Sequence, residues 1–220
     1  MGGRFPRLYP ILDAQLVLGE AERDRHALLQ RLVRELAEAG VEMLQYRNKR
    51  DVDAVVAEDA RAMKDAADAA GGMRLILNDR AALAAACGWD GVHVGQEDLS
   101  PRQVRWLVGE RAMVGLSTHN RGQIVSAIGE PVDYIAIGPI FSTTSKVDAD
   151  PVIGLEGVRR ARALTDKPLV AIGGITRETT AAVYEAGADS VAVIGAIFGA
   201  GSGQGRGVGQ SAKDFLENFS

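Results

Sequence analysis

Residues Val41–Leu77, VEMLQYRNKRDVDAVVAEDARAMKDAADAAGGMRLIL, decide how the rest of the chain is read. An apolar run, Val41–Tyr46, gives way to a polar tail. Asp53–Ala70 then consists almost wholly of good helix formers and stops at Gly71-Gly72, a C-cap pair. A second apolar run, Met73–Leu77, follows at once, so the stretch reads as strand, helix, strand. The same alternation extends in both directions, with further apolar runs at Leu8–Leu12, Gly91–Val94, Met113–Leu116, Tyr134–Ile137, Leu169–Ile172 and Val191–Ile194. Between them lie amphipathic stretches such as His26–Ala39, with Leu28, Leu29, Leu32, Val33 and Leu36 on one face, and Ser100-Pro101 is placed to cap and open another helix. Eight such units in 220 residues take about 27 residues each, the size of a βα repeat. Near-continuously apolar strands belong in a parallel sheet covered by helices. The alternation is compatible with an open doubly wound sheet, but eight units favour a closed (β/α)8 TIM barrel, with ligand chemistry at the C-terminal ends of the strands.

Composition excludes several classes. The chain is 46% hydrophobic and 25% charged, with 25 Lys and Arg against 29 Asp and Glu, a net charge of −4. It therefore has no global attraction for nucleic acid or an anionic membrane, and any phosphate it binds must be met by locally placed cations. The single cysteine, Cys87, excludes an internal disulfide and a cysteine-rich zinc site. The longest apolar stretch, Val191–Gly201, is interrupted by glycine and falls short of the roughly 18 residues of a membrane span. Met1–Arg7 lack the apolar core of a signal peptide and read as an N-terminal extension. The expectation is one cytoplasmic domain over residues 1–220. The glycine-rich segment Gly199–Gly209 matches no nucleotide fingerprint and reads as a loop before a last helix, Ser211–Phe219.

The polar residues at the strand ends carry the functional reading. Gln45, Arg47 and Lys49 share one face of an extended chain and put a donor amide and two cations together, a combination suited to a polyanion. A solvated charge run continuing into Arg50 is the plainer alternative. Asp79 and Asp98 lie just past the third and fourth apolar runs, where two carboxylates can share a hard cation such as Mg²⁺; alternatively each caps a helix. Ser117 and Thr118 end the fifth run, and a helix cap is expected from Thr118 or Asn120. The sixth leads into Gly138-Pro139-Ile140-Phe141-Ser142-Thr143-Thr144-Ser145-Lys146, a hydroxyl-rich loop with a terminal cation. Gly173-Gly174 and Ile194-Gly195 end the last two runs, where barrels often bind phosphate with backbone amides. Two anionic ligands are implied, one over strands two to four with a metal and one over strands six to eight. His26 reads as a surface residue, His93 as a hydrogen-bonded core histidine, and His119 has no carboxylate at a spacing that suggests a triad. Met43, Met63, Met73, Met113, Trp89 and Trp106 read as packing. No serine or cysteine lies in a nucleophile motif.

In this order the elements Gln45-Tyr46-Arg47-Asn48-Lys49, Asn78-Asp79-Arg80, Gly91–Asp98, Gly138–Lys146 and Ala171–Ile175 resemble the thiamine-phosphate synthase family, over about residues 8 to 198. The resemblance implies an alkyl-transferring enzyme that joins two phosphorylated heterocycles, 4-amino-5-hydroxymethyl-2-methylpyrimidine diphosphate and a (carboxy)thiazole phosphate, into thiamine phosphate with release of diphosphate and CO2. It implies that Gln45, Arg47, Lys49, Asn78, Ser117 and Lys146 hold the pyrimidine diphosphate and that Asp79 and Asp98 bind Mg²⁺. Thr143, Thr144, Ser145 and Gly174, with the backbone at Ile194-Gly195, match the thiazole-phosphate site. Gly195 stands where the family often has serine. Such a reaction needs no protein nucleophile, because diphosphate departs from a carbon whose cation the aminopyrimidine ring stabilises. Two aspartates cancel the charge of one Mg²⁺, so neutralising the leaving group falls to Arg47, Lys49 and Lys146. No nucleic-acid or membrane partner is expected, and a homo-oligomer is compatible with the sequence. Two alternatives share the barrel. A thiazole tautomerase has histidine after the glycine of the sixth-strand motif, where this chain has Pro139. A non-catalytic regulatory paralogue should have lost ligands that are present here.

Overall fold

Eight parallel strands pair in sequence order and close into a barrel in the computed structural model, which describes residues 4–17, 24–143, 150–199 and 207–217. They are β1 (Leu8–Asp13), β2 (Met43–Arg47), β3 (Arg74–Asn78), β4 (Gly91–Val94), β5 (Met113–Thr118), β6 (Tyr134–Ile137), β7 (Leu169–Ile172) and β8 (Ser190–Val193). The ring closes through Leu8↔Val191, Tyr9↔Ala192 and Pro10↔Val193. Every apolar run is a strand. The polar ends of β1, β3 and β5 (Asp13, Asn78 and Ser117-Thr118) also belong to strands, because backbone ladder bonds continue past the last apolar side chain. Helices follow each strand: α1 (Ala14–Val17) and α2 (Arg25–Glu38), α3 (Asp53–Ala69), α4 (Ala81–Ala86), α5 (Pro101–Val108), α6 (Arg121–Ile128), α7 (Gly154–Arg162), α8 (Arg177–Glu185), then α9 (Gly195–Phe198) and α10 (Val208–Glu217).

Local chemistry sets the helix starts. Ser100 caps α5 in a reciprocal capping box with Gln103, with Pro101 in the first turn. Asn120 rather than Thr118 caps α6, accepting from the Gln123 amide, while Thr118 Oγ1 donates to the Ala136 carbonyl at 2.8 Å. The last helix begins three residues before the expected Ser211, so Val208 and Gly209 are helical and not loop. A Cβ on Gly209 would lie 2.9 Å from the Glu35 carbonyl oxygen, so a glycine there lets α10 pack closely on α2. Of the rest of the expected loop, Gly199 closes α9 and residues 200–206 lie outside the described residues.

Alternate strand residues point inward. Tyr9, Ile11, Met43, Ile76, Tyr134, Ala136, Val170 and Ala192 fill the barrel, while the opposite faces join the larger core beneath the helices. The Tyr134 ring occupies space that Gly115 leaves open, since a Cβ there would fall 2.0 Å from the ring. Met43, Met63, Met73 and Trp89 are buried as expected. Trp106 does not pack: it is 84% exposed. It lies two positions after the inward Val104, about 200° further round α5.

One charged network is buried under the helices. Asp59 of α3 is fully buried and accepts from Arg25 Nε at 2.7 Å, Arg25 Nη2 at 2.5 Å and the Tyr46 hydroxyl at 2.5 Å. The Asp59 carboxylate holds the Arg25 guanidinium well above its ordinary pKa, and burial with Asp59 nearby does the same to the Tyr46 hydroxyl. Arg25 Nη2 also reaches Asp51 at 2.7 Å, tying α2 to the loop after β2. Asp59→Ala leaves Arg25 with Asp51 alone and strips the buried Tyr46 hydroxyl of its acceptor, so it is expected to cost about 1–3 kcal/mol in urea unfolding. A loss below about 1 kcal/mol would show the network to be idle.

Candidate active site

The C-terminal ends of β2, β3 and β4 bring the sequence-predicted cations and carboxylates together. Arg47 closes β2 and pairs with Asp13 at the end of β1, in register with it. Lys49, two residues on, puts its Nζ 3.2 Å from Asp79 Oδ2. Asp79 follows β3 directly, and its amide donates to the His93 carbonyl at 2.8 Å, which extends the β3–β4 pairing to the site. It adopts φ +64°, the left-handed region that a non-glycine residue enters at a cost of roughly 1–2 kcal/mol. Asp98 folds back so that Oδ2 accepts the Gly95 amide at 2.7 Å, and Ser100, not Asp98, caps α5. Burial, with the Asp98 carboxylate beside it, pushes the Asp79 carboxyl up to about 6 against the pull of Lys49. Neither aspartate caps a helix through its side chain: Arg80 occupies the N-cap position of α4.

A second feature crosses the barrel beneath these groups. Gln45 Nε2 donates to the Tyr9 hydroxyl at 2.9 Å, and Tyr9 and Tyr134 share a hydrogen bond of 2.9 Å. The Tyr134 hydroxyl meets His93 Nδ1 at 2.9 Å, and His93 Nε2 meets Ser117 Oγ at 2.8 Å. Burial lowers the His93 pKa to about 4, so its ring is neutral near pH 7 with one N–H. Because the amide nitrogen can only donate, the arrangement that leaves no proton stranded runs one way: Tyr9 donates to Tyr134, Tyr134 to Nδ1, and Nε2–H to Ser117. The Ser117 hydroxyl proton is then free to donate upward into the site, while Gln96 Nε2 holds the Ser117 carbonyl at 2.6 Å. Nitrogen-15 spectra of the folded protein should therefore show His93 protonated at Nε2 and bare at Nδ1; the opposite tautomer would reverse the three bonds from Tyr9 to Ser117 and leave the Tyr9 proton stranded between two donors.

The opposite side of the mouth is built from backbone. The loop after β6 runs beside β7 and its turn, with the Ile140 amide on the Ile172 carbonyl and the Phe141 amide on the Gly173 carbonyl, both at 2.9 Å. Gly174, at φ +62°, lies so close to this loop that a Cβ would fall 2.3 Å from the Ser142 carbonyl oxygen. Ile194 and Gly195 lead from β8 into α9, and nothing lies within 4 Å of a Cβ on Gly195. His119 lies nearby, donating from Nδ1 to the Gly138 carbonyl at 2.8 Å, with Asp150 Oδ2 3.3 Å away. A carboxylate partner therefore exists that sequence spacing did not reveal. Thr143 is half-buried. Thr144, Ser145 and Lys146 lie outside the described residues. Gly174→Ala should lower stability by about 1–3 kcal/mol through its backbone clash and positive φ, whereas Gly195→Ser should melt within about 1 °C of the parent. Equal melting points for the two variants would contradict the packing described.

The family model for thiamine monophosphate synthase matches residues 8–197. The chain belongs to the thiamine monophosphate synthase family. It is 51% identical to a thiamine-phosphate synthase from Koribacter versatilis, over 88% of this chain and 89% of that one. It is 39% identical to one from Chloroflexus aurantiacus, over 88% and 86% of the two chains. Among solved structures it is similar to thiamine phosphate pyrophosphorylase from Pyrococcus furiosus, with a TM-score of 0.79 and 27% identity over 96% of this chain and 94% of that one. Family membership makes the chain a thiamine-phosphate synthase by class, a transferase. Among the described residues, no helix is long and apolar enough to cross a membrane.

Within this family frame, Gln45, Arg47, Lys49, Asn78, Asp79, Asp98 and Ser117 all belong to, or directly follow, β2 to β5, while Gly174, Ile194 and Gly195 follow β7 and β8. Sequence reasoning missed Asp13, the partner of Arg47. The available signal was an acid closing the first apolar run, as Asp79 closes the third. It also missed Asp59, although this acid stands on the same helical face as Val56 and Met63.

Proposed function

We propose that the chain joins 4-amino-5-hydroxymethyl-2-methylpyrimidine diphosphate to a (carboxy)thiazole phosphate, yielding thiamine phosphate and diphosphate, with CO2 as well when the thiazole is carboxylated. The observation that carries this reading is the meeting of Lys49, Asp79 and Asp98 at adjacent strand ends, with Arg47 beside them. Two carboxylates held against each other at some cost make a site for a cation. Among the described residues no cluster of three or more acids, histidines or cysteines completes an all-protein cage. Two oxygen donors at a solvent-accessible strand end fit Mg²⁺, which completes its shell with water and phosphate oxygens, with Asp79 and Asp98 as its ligands. When bound, Mg²⁺ would supply charge neutralisation to the diphosphate.

The protein's own residues supply the rest. Arg47 and Lys49 bind the diphosphate oxygens, and Arg47 exchanges part of its contact with Asp13 for them. Gln45 and Ser117 orient the pyrimidine end, Ser117 with the proton that the buried chain leaves free. As the carbon–oxygen bond to diphosphate breaks, its electron pair leaves with the oxygen and the cations meet the charge that develops there. The thiazole nitrogen then forms the new bond to the methylene carbon, and where the ring is carboxylated, loss of CO2 leaves an electron pair on the ring carbon that takes up a proton from solvent to complete the product. Asn78 takes the pyrimidine diphosphate with Lys146. Thr143, Thr144, Ser145, Gly174 and the Ile194-Gly195 backbone hold the thiazole phosphate. Water must be kept from the cation while it lasts, because hydrolysis competes with the transfer.

The test mixes purified protein with both heterocycles, with and without Mg²⁺, and reads thiamine phosphate by mass. Metal-dependent product is expected, and Asp79→Ala should lower turnover by on the order of 10²–10³-fold. Turnover independent of Mg²⁺ and unchanged in that variant would remove the metal assignment. Thiazole-phosphate binding without any product would favour the tautomerase or regulatory reading, although Pro139 stands where the tautomerase has histidine.

A further inference from the structure

Arg80 directly follows Asp79, yet its guanidinium serves a different part of the chain. Nη2 donates to the Asn48 carbonyl at 3.0 Å and to the Asp51 carbonyl at 2.8 Å, and Nη1 pairs with the Asp53 carboxylate. Those two carbonyls bracket Lys49. The loop holding Lys49 has its shape set from within, because Asn48 Oδ1 accepts the Arg50 amide at 3.2 Å and the Asp51 amide at 3.1 Å. From the helix side it is tied down by Asn48 Nδ2, 3.0 Å from the Tyr46 hydroxyl, and by the Arg25–Asp51 pair. Neither restraint touches the turn after β3. The Arg80 side chain does, and it joins that turn to the backbone on both sides of Lys49.

We propose that Arg80 is a positioning residue that locks the loop after β2 to the turn after β3 and so sets where the Lys49 ammonium stands relative to the Asp79 carboxylate. The inference rests on the proposed reading of that site as the place where a diphosphate and a divalent cation are held. Lys49 is half exposed on a long flexible stem, so its own contact with Asp79 is a weak restraint. Asp79 holds a left-handed backbone conformation that persists only where its surroundings over-determine it. A planar guanidinium reaches two carbonyls and a carboxylate at once; a lysine ammonium on the same stem is a single point of charge and cannot span them. Arginine is therefore required for its geometry as much as for its charge.

The experiment measures binding by calorimetry in Arg80→Lys and Arg80→Ala, with Mg²⁺ plus inorganic diphosphate as one probe and thiazole phosphate alone as the other. Both variants should bind Mg²⁺–diphosphate on the order of 10- to 100-fold more weakly, the scale of losing an outer contact behind a metal site. Thiazole-phosphate binding should stay within about twofold of the parent, since its site lies across the barrel mouth. In turnover, KM for the pyrimidine diphosphate and the Mg²⁺ activation constant should rise more than kcat falls. Asp53→Ala, which removes only the contact to a carboxylate whose side chain is 75% exposed, should leave both affinities unchanged. Unchanged Mg²⁺–diphosphate affinity in Arg80→Lys, or an equal loss for both ligands, would overturn the proposal; the charge-retaining variant carries the test if Arg80→Ala does not fold. Failure of the parent protein to bind Mg²⁺–diphosphate would defeat the reading of the site itself and the proposal with it, an outcome visible before any variant is made.

Discussion

A closed ring of parallel strands has no edge and a single interior, and every inward side chain must be satisfied by other inward side chains. This constraint organises the protein. Apolar residues such as Ile76 and Val170 meet it by packing against one another. The polar inward residues Gln45, Tyr9, Tyr134, His93 and Ser117 meet it by satisfying one another in a line across the interior. A one-residue slip of any strand would exchange these residues for the apolar face packed under the helices. The register that buries the core is therefore the register that delivers Arg47, Asn78 and Ser117 to the mouth.

The mouth divides into two halves with different physical strategies. Over β2 to β4 the site is made from charge, with cations and carboxylates held in mutual contact so that neither sign dominates before a ligand arrives. Over β6 to β8 it is made from close-packed backbone, with the turn at Gly173-Gly174 pressed against the preceding loop. Charge suits a diphosphate, whose own charge changes as it leaves. Packed backbone suits an ester phosphate that is bound and released unchanged.

The strands were legible because both faces of each are covered, which makes them continuous apolar runs of the right length. Their C-terminal ends were less so. The apolar runs of β1 and β5 stop at Leu12 and Leu116, and the backbone pairing that carries the strands on to Asp13 and Thr118 has no side-chain signature. Asp79 and Asp98 were legible as a pair only through their placement at neighbouring strand ends. The resemblance, not periodicity, supplied the heterocyclic ligands. Contacts set by three-dimensional packing were not legible: Arg25 meets Asp59 across 34 residues, and Arg80 meets Asn48 across 32. Trp106 shows the opposite case, since the rotation of a short helix turns a large aromatic residue outward where its size alone suggests packing.

The two tryptophans consequently form an internal pair of optical probes. The Trp89 indole is buried, donates to the Ala60 carbonyl at 3.1 Å and lies 6.4 Å from the Tyr46 ring, beside the Arg25–Asp59 network. Trp106 already meets solvent in the native state. Emission from Trp106 should hardly change on unfolding, so the red shift of the intact protein belongs to Trp89 and reports on the seam between α3 and the barrel. A Trp106→Phe variant would isolate that signal without disturbing a packed contact, giving the helix layer around Asp59 its own spectroscopic readout.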